Sequence, residues 1–121
     1  RPEAVPPPPA ATDLPALRVA IAHAHRELTV RAALIRVGRA DPDADFQPEL
    51  DLPPFEGQAR GVSRRHAAIQ WAEGGFVIID QHSSNGTWLE GVRLVAGYAY
   101  QLPPNANVRF GDLLVQLAAT D

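Results

Sequence analysis

The chain has 121 residues, 45% hydrophobic and 21% charged, with a net charge of −3; this is an ordinary globular balance, sufficient for one core, with no overall attraction to nucleic acid or an anionic membrane. Cysteine is absent, which excludes a disulfide framework and thiolate chemistry. No apolar run approaches the roughly 18 to 20 residues that span a bilayer, there is no signal-peptide pattern, and with Arg1 first and no methionine the chain reads as a piece of a longer, cytoplasmic protein.

Residues 1–15 hold six of the twelve prolines, with Pro6 to Pro9 in a row. Proline fixes φ and donates no backbone hydrogen bond, so this segment is expected to be an extended, solvated linker. A spacer between domains is the first reading and a ligand for a proline-binding module the second. From residue 16 to 121 the pattern is that of one domain. Leu17, Val19 and Ile21 alternate with Arg18 and Ala20, a period of two and hence a strand. Leu28 and Val30 follow as its return, and residues 34–37 make a third strand that ends at Gly38-Arg39.

Residues 40–58 are acidic, with Asp41, Asp43, Asp45, Glu49, Asp51 and Glu56 and no Lys or Arg among them. Pro42, Pro48, Pro53 and Pro54 interrupt regular structure, so a long loop with one short strand near residues 49–52 is expected. The spacing of Asp41, Asp43 and Asp45 matches the first ligands of a calcium loop, but Pro42, Phe46 and the missing glycine and distal glutamate argue against one.

The centre of the chain is a hairpin, residues 66–72 and 76–80, turned by Glu73-Gly74-Gly75. Two polar loops bracket it, Ser63-Arg64-Arg65-His66 and Ser83-Ser84-Asn85-Gly86-Thr87. Antiparallel pairing sets the start of one strand beside the end of the other, so both loops are expected at one edge. Hydroxyls, guanidinium groups, an amide and turn NH groups would then meet there, with no carboxylate in either loop. Such a set of donors suits a small, doubly charged anion such as a phosphate. Beyond it, Glu90-Gly91 and Gly111-Asp112 mark further hairpins, and residues 98–102 another strand. About eleven short strands result and no credible helix. The expected fold is an all-β sandwich closed on Val, Ile and Leu with the rings of Trp71, Phe76 and Trp88.

Gly38-Arg39, then Ser63-Arg64-Arg65-His66, then Ser83-Ser84-Asn85-Gly86-Thr87, in this order and on these strand ends, resemble the signature of the forkhead-associated (FHA) domain. The resemblance runs from about Leu17 to Ala118. It implies an eleven-stranded sandwich whose loops at one end bind phosphothreonine peptides. By motif position, Arg39 would pair with phosphate oxygens, Ser63 and Ser84 would donate hydroxyls to the same phosphate, and Asn85 would hold the peptide backbone. Arg64 follows the motif serine, as in many bacterial members, and would add a second cation. Gly38, His66, Gly86 and Thr87 would hold the loops. The family often has Leu-Gly before its third motif, where this chain has Gln81-His82, and that departure bears on the shape of the loop.

The resemblance therefore implies a non-catalytic module that binds a threonine-phosphorylated protein in Ser/Thr kinase signalling, without cofactor, metal or nucleic acid. Arg39 and Ser63 are expected to be exposed, and the acidic loop to disfavour acidic residues flanking the phosphothreonine. Four other readings compete. A hydrolase would use Ser63, His66 and Asp80; a nucleic-acid binder would use Arg60, Arg64 and Arg65; a metal site would draw on His23, His25, His66 and His82. The runner-up keeps the fold but binds its partner without phosphate.

Overall fold

A computed structural model describes residues 15–72 and 74–120. The linker expected over residues 1–15 lies, apart from Pro15, outside them, as does Glu73 of the hairpin turn. Eleven strands are present: β1 (Ala16–Ile21), β2 (Arg26–Val30), β3 (Leu34–Gly38), β4 (Leu50–Asp51), β5 (Arg65–Ala72), β6 (Gly75–Asp80), β7 (Thr87–Leu89), β8 (Val92–Arg93), β9 (Ala99–Gln101), β10 (Asn105–Phe110) and β11 (Leu113–Thr120). They form a six-stranded sheet, β2-β1-β11-β10-β7-β8, facing a five-stranded sheet, β4-β3-β5-β6-β9. The short β3–β4 pairing is parallel, while the other registers are antiparallel.

The period-two pattern becomes the core. Leu17, Val19 and Ile21 of β1, Ala106, Val108 and Phe110 of β10, and Leu113, Val115 and Leu117 of β11 are buried from one sheet. Ile35 and Val37 of β3, Ala67 and Ile69 of β5, and Phe76 and Ile78 of β6 meet them from the other. Of the three rings expected to close the core, Phe76 alone is buried. Trp71 is half-buried and packs edge-on against Phe76, with ring centroids 4.9 Å apart. Trp88 is also half-buried and lies between two arginines, Arg93 and Arg109. The correction has a simple cause: Trp88 alternates with the buried Thr87, so its ring falls on the other face of β7. The ring that fills the centre is Phe110.

The acidic loop is pinned rather than loose. Phe46 is buried, with the guanidinium groups of Arg36 and Arg65 stacked over it at 5.4 and 4.1 Å from the ring centroid. Arg36 also grips Glu49 with two side-chain bonds, Nε to Oε1 at 2.8 Å and Nη2 to Oε2 at 2.6 Å, and its backbone N–H donates to Oε1 at 2.8 Å. Nη2 reaches the Gln47 carbonyl as well, at 2.9 Å. This forked, charge-assisted contact holds the Glu49 carboxyl down to about pKa 2, from an ordinary value of 4.5.

A carboxylate whose pKa is lower in the folded chain stabilises the fold above its unfolded value, and the contribution disappears as pH falls toward the folded value. Stability supplied by Glu49 is therefore complete above about pH 4.5 and lost on approach to pH 2. Glu49→Gln should flatten this acid limb in urea midpoints measured between pH 5 and pH 2.5; a limb as steep as in the wild type would show that the pair contributes nothing.

Candidate functional site

The register of the five-stranded sheet delivers the polar loops to one end. β5 and β6 pair with Ala67 opposite Asp80, so the loop entering β5 and the loop leaving β6 emerge together. β3 reaches the same end, where its register against β5 shifts between Val37 and Gly38. Gly38 is needed here for close approach, because a Cβ on it would fall 1.8 Å from the Arg64 carbonyl oxygen. The next residue is locked by its backbone, since the Arg39 N–H donates to that same carbonyl at 2.9 Å. Its side chain then crosses to the Ser63 loop, and Nε donates to the Val62 carbonyl at 2.7 Å. Both Nη groups of Arg39 are without a protein partner among the described residues.

His66 joins the two loops. It is fully buried, with its ring edge-to-face against Phe110. Nδ1 accepts the Ser63 N–H at 3.0 Å, which requires the ring proton on Nε2, and Nε2 donates to the Gly86 carbonyl at 2.9 Å. Gly86 has φ +88°, and its carbonyl also accepts the Gly111 N–H at 2.9 Å, so three loops are fixed at one oxygen. Burial pushes the His66 pKa below its ordinary 6.5, and protonation at Nδ1 would turn an acceptor into a donor facing an N–H. The stability that neutral His66 supplies is thus present above about pH 6.5 and declines below it.

Asp80 organises the second loop. It is buried at the end of β6, and its Oδ1 accepts the hydroxyls of Ser83 at 2.6 Å and Thr87 at 2.7 Å. Its Oδ2 accepts the Ser83 N–H at 3.2 Å, and the Ser83 hydroxyl oxygen takes the Gly86 N–H at 3.0 Å. Sequence reasoning gave Asp80 a role only in the rival hydrolase reading and gave Ser83 none of its own. The signal available was the Asp80-x-x-Ser83 spacing, which places a carboxylate within reach of a turn N–H. His82 adopts φ +56°, so a left-handed turn is made with a side chain present.

The two motif serines meet directly. The Ser84 N–H donates to the Ser63 hydroxyl oxygen at 3.1 Å. That bond takes one of the two lone pairs of the oxygen, and the Ser63 O–H has no protein acceptor among the described residues, so it can donate to a ligand. Ser84 and Asn85 are exposed; the Asn85 amide donates to the Gly61 carbonyl at 2.9 Å and keeps its Oδ1 for other partners. Arg39 and Ser63 are half-buried rather than exposed, because each is tied to the neighbouring loop. Arg64 is 66% exposed and leans toward Asp41 of the acidic loop, 3.9 Å away. The residues named for phosphopeptide binding, Arg39, Ser63, Arg64, Ser84 and Asn85, therefore stand on loops interlocked at one tip. Gly38, His66, Gly86 and Thr87 are the joints of those loops.

Both His66 nitrogens are engaged by backbone groups, so His66 is not poised as a base for Ser63. Arg65 turns away from Arg64 to stack on Phe46. Among the described residues, no three His, Asp or Glu side chains form a metal-holding group. No helix of the described residues is long and apolar enough to cross a membrane.

Replacing Asp80 by Asn puts an amide N–H₂ where three donors now converge. A buried polar group left unmatched costs about 1–3 kcal/mol. Asp80→Asn should lower unfolding stability by that order in a urea titration; stability equal to the wild type would mean that the carboxylate does not hold the loop.

Comparison with known proteins agrees with this geometry. The model of the FHA domain family matches residues 35–111. Protein FraH of Nostoc sp. PCC 7120 is 30% identical over 112 residues, which cover 89% of this chain and 38% of FraH. The chloroplastic zeaxanthin epoxidase of Prunus armeniaca is 39% identical over 49 residues, 40% of this chain and 7% of the epoxidase, so the chain spans well under half of either relative. The FHA domain of an Arabidopsis thaliana hypothetical protein superposes with a TM-score of 0.73 at 22% identity, covering 98% of this chain and 96% of that one. Mycobacterium tuberculosis EmbR, solved with a low-affinity phosphopeptide, gives a TM-score of 0.70 at 23% identity over 88% of this chain and 25% of its own. With its two sheets, its interlocked loops and a family match over more than half its length, the chain belongs to the FHA domain family.

Proposed function

We propose that the tip formed by Arg39, Ser63, Ser84 and Asn85 binds a phosphothreonine in a partner protein, as a non-catalytic module in Ser/Thr kinase signalling within the cytoplasm. The observation that carries this reading is the Ser63–Ser84 contact beside the anchored Arg39. One hydroxyl oxygen has a lone pair occupied from within and its O–H has no protein acceptor among the described residues, and it stands next to a guanidinium whose two Nη groups are open. Phosphothreonine brings about −1.5 to −2 charges and three acceptor oxygens at neutral pH. The Arg39 fork would take two of those oxygens, and the Ser63 and Ser84 hydroxyls would donate to the phosphate. Oδ1 of Asn85 would accept a peptide N–H, and Arg64 would add a second cation by leaving Asp41. An FHA domain from a phosphothreonine-dependent interaction study has the same fold, with a TM-score of 0.66 at 22% identity.

A charge-assisted hydrogen bond contributes about 1.5–3 kcal/mol, so losing one weakens binding roughly tenfold or more. Arg39→Gln should lower the affinity for a phosphothreonine peptide by at least that factor in fluorescence anisotropy, with a stability cost of about 1 kcal/mol for the lost bond to the Val62 carbonyl. Ser63→Ala should do the same while also costing about 1 kcal/mol of stability, since it removes the acceptor for the Ser84 N–H. Unchanged affinity in both variants would contradict the site, and equal binding of Thr and phosphothreonine forms of one peptide would favour a phosphate-independent partner.

Affinity should also fall below about pH 6, where the phosphate takes up its second proton. An affinity constant from pH 5 to 7.5 would exclude a dianion as the anchor.

A further inference from the structure

The tip has two unlike flanks. On the five-stranded sheet, next to Arg39 and Arg64, lies the acidic loop of residues 40–58; Asp41 sits 3.9 Å from Arg64, and Asp43 and Asp45 are exposed. On the six-stranded sheet, next to Asn85 and Gly86, lies a row of opposite sign. β10, β7 and β8 are adjacent, and their register sets Arg109 opposite Trp88 and Trp88 opposite Arg93. The three side chains make a ladder across the strands, with the guanidinium carbons of Arg109 and Arg93 at 4.5 and 5.7 Å from the Trp88 ring centroid.

The ladder is continuous with the binding loop. A Cβ placed on Gly86 would lie 2.7 Å from Arg93 Nε, so this guanidinium rests against the residue that follows Asn85. Trp88 Nε1 points at the Asn85 carbonyl, 3.5 Å away. Arg93 has no carboxylate within ion-pair distance among the described residues. Arg109 has Asp112 at 3.4 Å, but that carboxylate side chain is 81% exposed and held only through solvent-screened contact. The Trp88 ring lies beside both guanidinium groups and spaces them across the strands, a contact that leaves their charge intact.

We propose that Arg93 and Arg109, spaced by Trp88, form a second anion subsite that takes a carboxylate side chain of the peptide whose phosphothreonine occupies the tip. The proposal rests on the phosphothreonine reading and adds selectivity to it. An aspartate or glutamate on the side of the phosphothreonine that lies over Asn85 is attracted. On the other side it meets Asp41, Asp43 and Asp45 and is repelled. The expectation that acidic flanks are disfavoured thus becomes directional, with one flank selecting acid and the other rejecting it.

The test is an aspartate walk. A phosphothreonine peptide with alanine flanks is compared with versions carrying one Asp at each of the four positions on either side, at low salt, against the wild type, Arg93→Gln and Arg109→Gln. An exposed charge pair is worth about 0.4–1 kcal/mol at low salt, within the range measured for such pairs, so Asp on one side should tighten wild-type binding roughly two- to fivefold. Either variant should erase the gain while binding the alanine-flanked peptide as the wild type does. Melting temperatures within a degree or two of the wild type confirm that the variants are folded; if one is not, the other carries the test. No gain at any position, equal gain on both sides, or a gain that survives both substitutions would overturn the subsite. If the alanine-flanked peptide binds no better than its unphosphorylated form, the phosphothreonine reading fails and takes the subsite with it; phosphate dependence without an aspartate gain removes the subsite alone.

Discussion

One buried imidazole holds the binding end together. His66 takes an N–H from the Ser63 loop and gives one to the Gly86 carbonyl, and the loops to which it is bonded carry every group proposed to face the phosphothreonine itself except Arg39. It can do this only while neutral, and burial against Phe110 keeps it so. Asp80 acts in the same way one layer over, gathering two hydroxyls and an N–H so that Ser84 and Asn85 are presented at the surface. Polar groups that look functional in the chain are thus divided in two. His66, Asp80 and Thr87 are buried, satisfied by protein and fix geometry, while the half-buried Arg39 and Ser63 and the exposed Ser84 and Asn85 keep groups for a ligand.

This division explains how a chain with net charge −3 can hold an anion. Nothing in the overall field favours it, and the acidic loop opposes it at close range. Attraction has to come from oriented donors at a single point, and orientation comes from hydrogen bonds within the protein. Arg39 illustrates this: its Nε is committed to the Val62 carbonyl, which lowers the freedom of the side chain before any ligand arrives. The ladder at Trp88 follows the same plan, with a ring in place of a carbonyl.

Much of this was legible from residues alone. Alternation of Leu, Val and Ile marks β1 and its return β2, and Gly-containing turns mark the hairpins, because period and turn chemistry are local. The meeting of the Ser63 and Ser84 loops was legible too, since a hairpin fixes which strand ends are neighbours. Long-range placement was not. Trp88 reads as core by composition, but the strand that carries it turns the ring outward beside Arg109, 21 residues further along the chain. The half-burial of Arg39 depends on a carbonyl 23 residues away. The role of Asp80 was hidden because Asp at a strand end is ordinary, and only its burial distinguishes it.

The claim on which all of this depends is that groups distant in sequence surround one dianion at a single tip. Backbone amide shifts of the isotope-labelled protein, followed while a threonine peptide and then its phosphorylated form are added, test it most directly. The account predicts saturable shifts at Arg39, residues 61–66 and residues 83–87 with the phosphorylated peptide alone. Equal shifts with both peptides, or shifts centred on the opposite end at Trp71, Phe76 and Pro103, would contradict it.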